Sequence, residues 1–292
     1  CLDTTMIQKP SELLKKFDFY PKKSLGQNFL YDSVWINRIV TAAEISRADV
    51  VLEIGPGSGS LTTALSSVAR KVIAVEIDNR LIPILNHVLV ENRNVTVILG
   101  DILECEPHKL MAQYDVSTFV VVANIPYYIT GQIIRHLFQS SMLPRSITMS
   151  VQREVAERMI ATPGQMNLLA VSAQFYSDVK IVDYIPAGAF YPVPAVDSAL
   201  VRLDVFDPAN HIHADSSLFF RIVRAGFGQK RKQLQNALSN GLRINKEQIL
   251  NALANIGLDS RCRAQTLTMQ DWADLTNMLS DAVAIATNQS SS

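Results

Sequence analysis

Between residues 50 and 123, short and nearly continuous Val/Ile/Leu runs alternate with stretches whose apolar positions recur at helical spacing. The runs Val50-Val51-Leu52-Glu53-Ile54, Lys71-Val72-Ile73-Ala74-Val75-Glu76, Val95-Thr96-Val97-Ile98-Leu99 and 118–123 predict strands, with helices over 59–67 and 79–91 between them. Strands so uniformly apolar are buried on both faces, as in a parallel sheet covered by helices. Upstream, Val34, Ile36, Ile39 and Val40 predict a helix over 34–45, and residues 1–24 read as a polar arm with a short helix. Downstream, 131–140 and 152–160 read as helices, and Val171–Tyr176 and Ala199–Leu203 as strands. The texture changes at Phe206-Asp207-Pro208-Ala209-Asn210, and from Asp215 onward the pattern is helical only, over 215–227, 229–240, 245–256 and 270–284. The expected fold class is α/β with a mostly parallel sheet over 1–207, followed by a small all-helical domain over 208–292.

Composition narrows this little. The 292 residues are 48% hydrophobic and 18% charged, an ordinary globular balance with room for two domains. Lys+Arg 27 against Asp+Glu 27 leaves no net charge, which excludes a globally basic nucleic-acid binder but not a local basic surface. Three distant cysteines without a C-x-x-C pair suit reduced thiols, so a cytoplasmic location is expected. No apolar run reaches the ~18 residues that would span a bilayer. The five histidines show no metal-ligand spacing, His211-x-His213 included, and no metal is expected.

Candidate chemistry gathers where strands end. Gly55-Pro56-Gly57-Ser58-Gly59 stands at a strand-to-helix handover, where glycines let backbone approach a ligand; a tight turn and a dinucleotide site are both compatible with it. Glu76 ends the next strand, placed to accept hydrogen bonds from a ribose, and Asp101 follows the third. The fourth strand ends in Asn124-Ile125-Pro126-Tyr127, which offers a carboxamide oxygen, backbone carbonyls stiffened by a proline, and an aromatic face. That is a receptor for a flat heterocycle with an exocyclic NH₂, and it suggests an enzyme acting on the amino group of a base. NAD is the competing cofactor, but G-P-G-S-G departs from G-x-G-x-x-G and no hydride-transfer partner stands out.

These segments resemble the adenosylmethionine-dependent ribosomal RNA adenine dimethyltransferases of the small subunit, the KsgA family. The likeness runs through Lys23-Ser24-Leu25-Gly26-Gln27-Asn28-Phe29-Leu30, Glu53–Thr62, Glu76-Ile77-Asp78, Gly100-Asp101, Asn124–Tyr127 and Gln152–Met159. It continues in Phe190-Tyr191-Pro192-Val193-Pro194-Ala195-Val196-Asp197-Ser198 and Phe227-Gly228-Gln229-Lys230-Arg231-Lys232-Gln233-Leu234. Tyr128 departs from the Asn or His of many members, and Gln165–Leu168 lacks a common Tyr-Gly. The resemblance implies a Rossmann-like methyltransferase domain that binds S-adenosylmethionine. The cofactor-binding residues expected on this resemblance are Gln27, Asn28, Leu30, Gly55, Gly57, Glu76, Ile77, Asp101, Ile102 and Asn124. It implies dimethylation of N6 on two adjacent adenines near the 3′ end of 16S ribosomal RNA, within an assembling 30S particle, by a monomer. The residues expected at the reacting base are Asn124, Ile125 and Pro126, with Tyr127 and Phe190 stacking on its two faces.

Basic residues expected to hold RNA are Lys22 and Lys23 on the arm, and Arg221, Arg224, Lys230, Arg231 and Lys232 where the helical region begins. Acids crowd instead into 44–115, so charge is segregated along a neutral chain. The alternatives are a large-subunit methyltransferase of the macrolide-resistance type, a non-catalytic assembly factor and, last, a DNA adenine methylase.

Overall fold

The computed structural model describes residues 10–22, 25–125, 129–207, 214–229 and 231–290, the last four of these by backbone only. They divide into two compact units: 1–157 with 177–205, and 158–176 with 206–292.

The first unit is built on a seven-stranded sheet. Its strands are β2 (Val50–Ile54), β3 (Lys71–Glu76), β4 (Val95–Leu99), β5 (Val120–Asn124), β6 (Ser146–Gln152), β7 (Ser177–Ile185) and β9 (Ser198–Val205), in the order β4-β3-β2-β5-β6-β9-β7. The five from β4 to β6 run parallel, and β9 and β7 add antiparallel at one side. Helices α1 (Pro10–Lys16), α2 (Ser33–Ala42), α3 (Ser60–Val68), α4 (Ile82–Val88), α5 (Pro107–Met111) and α6 (Thr130–Phe138) connect these strands or precede them, and α7 (Arg153–Met159) follows β6. A two-stranded ribbon, β1 (Phe29–Leu30) with β8 (Phe190–Tyr191), completes the unit. The chain winds outward from β2 to β4, then returns to β5 on the opposite side of β2. That reversal opens a crevice at the carboxyl ends of β2 and β5, the place where such sheets bind ligands. This is the mostly parallel α/β sheet expected from the alternation, in the Rossmann-like form that the resemblance implied.

Besides the short ribbon strands β1 and β8, two strands of the main sheet exceed the sequence expectation. In β6, Ser146, Thr148 and Ser150 interrupt the apolar run although every residue from 146 to 151 is buried, so the sequence looks less like a core strand than it is. The outermost strand β7 alternates exposed Lys180, Val182 and Tyr184 with more buried neighbours, as an edge position requires.

The second unit is helical: α8 (Leu168–Gln174), α9 (Ser216–Phe227), α10 (Leu234–Leu242), α11 (Lys246–Asn255) and α12 (Met269–Ser290) enclose Phe175, Phe219, Val223, Leu238, Leu253, Trp272 and Leu279. Residues 171–176 were expected as a strand of the first domain. Most of that stretch is helix instead, because the Asn167 side chain accepts from the N–H groups of Leu169 and Ala170 and starts α8. Phe175 then packs 4.2 Å from the Phe219 ring, so 158–176 belongs with the helices rather than with the sheet. The boundary expected at 208 falls outside the described residues.

Candidate active site

The glycine turn after β2 sets the floor of a pocket. Gly55 and Gly57 hold φ of +71° and +56°, backbone that side-chain-bearing residues rarely adopt. A Cβ on Gly57 would lie 2.8 Å from the Phe29 ring, so that position has no room for one. The pocket, about 740 Å³ including its mouth, is walled by residues 25–30 on one side and by Glu76, Ile77 and Leu81 on another. Asn124 and Ile125 close it from β5. The arm before β1 supports this wall: Leu13, Leu14 and Phe19 pack with Phe29, Leu81 and Leu85.

Glu76 is 4% exposed. One carboxylate oxygen accepts from Gly57 N–H at 3.1 Å and the other from Asp78 N–H at 2.9 Å. Burial pushes this carboxyl above its ordinary range, against the pull of those two N–H groups. Gln27 spends its amide on structure: its nitrogen donates to Asp78 at 2.7 Å and its oxygen accepts from Lys22 N–H at 2.8 Å. Burial opposes charge on Asp78, but hydrogen bonds from Arg80 and Gln27 hold its carboxyl below the usual range. The loop 25–28 is thereby tied to the turn after β3.

Asn124 sits at the end of β5, in register with Ser150. Its side-chain nitrogen donates to the Asn28 carbonyl at 3.3 Å. Only the nitrogen can face a carbonyl, so the orientation is fixed and the amide oxygen is turned away from Asn28 as an acceptor.

Eight expected cofactor residues, Gln27, Asn28, Leu30, Gly55, Gly57, Glu76, Ile77 and Asn124, line this one pocket, together with Ile125. Asp101 and Ile102 are not among its lining residues. Asp101 instead caps the turn that follows it, accepting from Leu103 N–H at 2.9 Å, and Ile102 is buried. Phe190 departs further from expectation. At 1% exposure it packs among Leu30, Ile36, Ile185 and Leu200, and pairing of β8 with β1 holds it there, so its ring is a core element rather than an open stacking face. Pro126, Tyr127, Lys23 and Lys230 lie outside the described residues, as do His211 and His213. Lys22, Arg224, Arg231 and Lys232 are exposed, and Arg221 is half-buried on α9. The sequence reading missed Phe29, Ser58, Ser60 and Leu81 in the pocket wall. It also passed over Glu53 as chemistry, although a carboxylate within a buried strand was a signal.

The donor set fits S-adenosylmethionine. Side-chain-free glycines allow close approach, Glu76 can accept from ribose hydroxyls, and the unpaired N–H groups at the start of α3, where Ser60 lines the pocket, suit a carboxylate. Among the described residues no group of three or more His, Cys, Asp or Glu is placed to hold a metal, and no helix is long and apolar enough to cross a membrane.

A family model described as ribosomal RNA adenine dimethylase matches residues 19–281. Relatives named ribosomal RNA small subunit methyltransferase A include one from Anoxybacillus flavithermus, 42% identical over 93% of this chain and 94% of its own. Another, from Bacillus pumilus, is 41% identical over 94% and 97%. Among solved structures, a dimethyladenosine transferase from Plasmodium falciparum superposes with a TM-score of 0.74 at 27% identity, covering 87% of this chain and 98% of the other. The 23S rRNA methyltransferase ErmE gives 0.66 at 28%, covering 87% and 100%.

Proposed function

Since this chain belongs to the ribosomal RNA adenine dimethylase family, we propose that its pocket presents adenine N6 of small-subunit ribosomal RNA to S-adenosylmethionine, using Asn124 as the aiming group. The enzyme is an S-adenosylmethionine-dependent adenine-N6,N6-dimethyltransferase acting on 16S ribosomal RNA. The finer reading is two adjacent adenines near the 3′ end, met in the cytoplasm within an assembling 30S particle by a monomer.

One observation carries the aiming role. Asn124 ends the strand beside the glycine turn, and its nitrogen is committed to Asn28, which leaves the amide oxygen as an acceptor in the pocket wall. Bound S-adenosylmethionine supplies a methyl group on a cationic sulfur. The residues of this chain do the rest. Glu76 accepts from the ribose and fixes the adenosyl moiety, each charged hydrogen bond contributing about 1.5–3 kcal/mol. Asn124 Oδ1 and the Ile125 carbonyl accept the two N6 hydrogens, turning the nitrogen lone pair along the line of transfer without a strong base. Tyr127 is the stacking residue of this proposal. Arg221, Arg224, Arg231 and Lys232 would hold phosphates.

The test is transfer of labelled methyl to undermethylated small subunits. Asn124→Ala should lose at least about 100-fold in rate, the order seen when an oriented polar group is removed, while still binding cofactor. Full rate in that variant would refute the aiming role. The large-subunit alternative rests on the likeness to ErmE, which is weaker in identity than that to the small-subunit relatives. Primer extension across both ribosomal RNAs identifies which adenines change.

A further inference from the structure

Glu53 takes no part in the mechanism above, yet it is the most unusual side chain near the pocket. Parallel register sets it opposite Ala74 and Val122, so it shares a sheet face with Glu76 on β3 and Asn124 on β5, each two residues further along. It is 1% exposed, and neither carboxyl oxygen has a hydrogen-bond partner. The buried Thr62 hydroxyl of α3 has none either; it stands close enough to favour the charged form without reaching bonding geometry. The other group acting on Glu53 is the Glu76 carboxylate on β3, which disfavours charge, while β5 offers Val122 and α3 carries no titratable side chain. A carboxylate without a counter-ion in such a place is strongly disfavoured, and burial pushes Glu53 up to about 8.

We infer that Glu53 senses the charge of the bound cofactor: neutral in the free protein, it gives up its proton beneath a sulfonium and holds one when a neutral thioether stands there instead. The inference rests on the cofactor reading above. A sulfonium has no N–H or O–H to donate, so apart from weak C–H···O contacts a protein recognises it through charge and shape. Glu76 is the one titratable side chain among the described lining residues, and its oxygens are turned to Gly57 N–H, Asp78 N–H and the ribose assigned to it above rather than to the sulfur. The missing counter-charge is therefore available from Glu53, directly behind the turn. The proton count closes. One proton leaves Glu53 for solvent when the cation binds. As the methyl moves to nitrogen, the amine loses a proton and Glu53 takes one up, so each full turnover releases one. The pocket then favours cofactor over product more strongly as pH rises towards 8, and product release is eased because the spent cofactor no longer draws on Glu53.

Titration calorimetry of the full chain tests this, with S-adenosylmethionine and S-adenosylhomocysteine measured separately in buffers of different ionisation heat from pH 6.5 to 8.5, for wild type and Glu53→Gln. Wild type should release up to about one proton more than Glu53→Gln on binding the sulfonium, and no more on binding the thioether. The cofactor's own amine titrates in both proteins and cancels. From pH 6.5 to about 8, the sulfonium-to-thioether affinity ratio of wild type relative to that of Glu53→Gln should climb by up to about tenfold per pH unit and then level off. Equal proton counts in the two proteins would overturn the inference. Absence of any sulfonium binding to wild type would instead overturn the cofactor reading. A second measurement needs no functional comparison: the Glu53 carboxyl carbon, followed by NMR in wild type, should titrate near 8 when free or with thioether, and lower with sulfonium. An unchanged titration in all three states would equally refute it.

Discussion

Replacing Glu53 with glutamine should stabilise the sheet unit, by an amount that grows with pH. The carboxyl is fully buried and displaced from an ordinary 4.5 to about 8. Below pH 4.5 both the folded and the unfolded chain carry the proton, so ionisation contributes no difference. Between 4.5 and about 8 the unfolded chain has released it and the folded chain has not, so wild-type stability falls as pH rises through that window and levels off above it. At about 1.4 kcal/mol per pH unit, the full span is on the order of 5 kcal/mol. Glutamine keeps the shape and cannot ionise, so its advantage over wild type should widen by about 3.5 kcal/mol between pH 5 and pH 8. Urea unfolding read by pulsed hydrogen exchange at the β2 and β5 amides isolates this unit from the helical one. A stability difference that stays constant across the pH series would refute the reasoning, because it would mean that Glu53 carries its charge in the folded protein.

Four further outcomes follow from the geometry. Gly57→Ala forces a left-handed residue and drives a Cβ to 2.8 Å from Phe29; cofactor affinity by calorimetry should fall at least about tenfold, and unchanged affinity would refute the floor assigned to this turn. Phe190→Ala should cost the sheet unit about 3–5 kcal/mol, whereas Phe190→Leu should keep most of the methylation rate; a stable leucine variant with lost rate would restore the stacking role. Gly226→Ala places a Cβ 2.6 Å from the Trp272 ring, so the helical unit should lose about 1–3 kcal/mol, visible in Trp272 fluorescence. Arg224→Ala and Arg231→Ala should each reduce the salt slope of RNA binding by about one; an unchanged slope would remove them from the RNA surface.

The sequence foretold most of the fold because the parallel strands are chemically blunt. Val50–Ile54 is buried from end to end and Val120–Ala123 is buried up to half-buried Asn124, and strands so enclosed are, Glu53 aside, apolar on both sides. Legibility failed where side chains compromise. Ser146, Thr148 and Ser150 sit buried in β6 although their hydroxyls have no hydrogen-bond partner, so polar side chains break the apolar run by which a core strand is read. Residues 171–176 failed for a different reason: Val171, Phe175 and Tyr176 favour strand locally, and the cap at Asn167 together with the aromatic packing of the helical unit overrides them.

The site was legible to the degree that backbone geometry defines it. Positive φ at Gly55 and Gly57 is the reason glycine stands there, so the turn could be read from residue type alone. Asn124 was legible because a carboxamide ending a buried strand has few structural uses. Phe190 misled, since an aromatic beside prolines suits a stiff open loop as well as a core ribbon, and only the pairing of β8 with β1 decides between them. Glu53 is the reverse case. It was in view as one letter of a strand, and its meaning depends on what the described residues around it do not supply: a hydrogen-bond partner and a cation. A side chain that carries a stability cost with no structural return is best explained by a ligand that supplies the return, and the cation expected in this pocket is such a ligand.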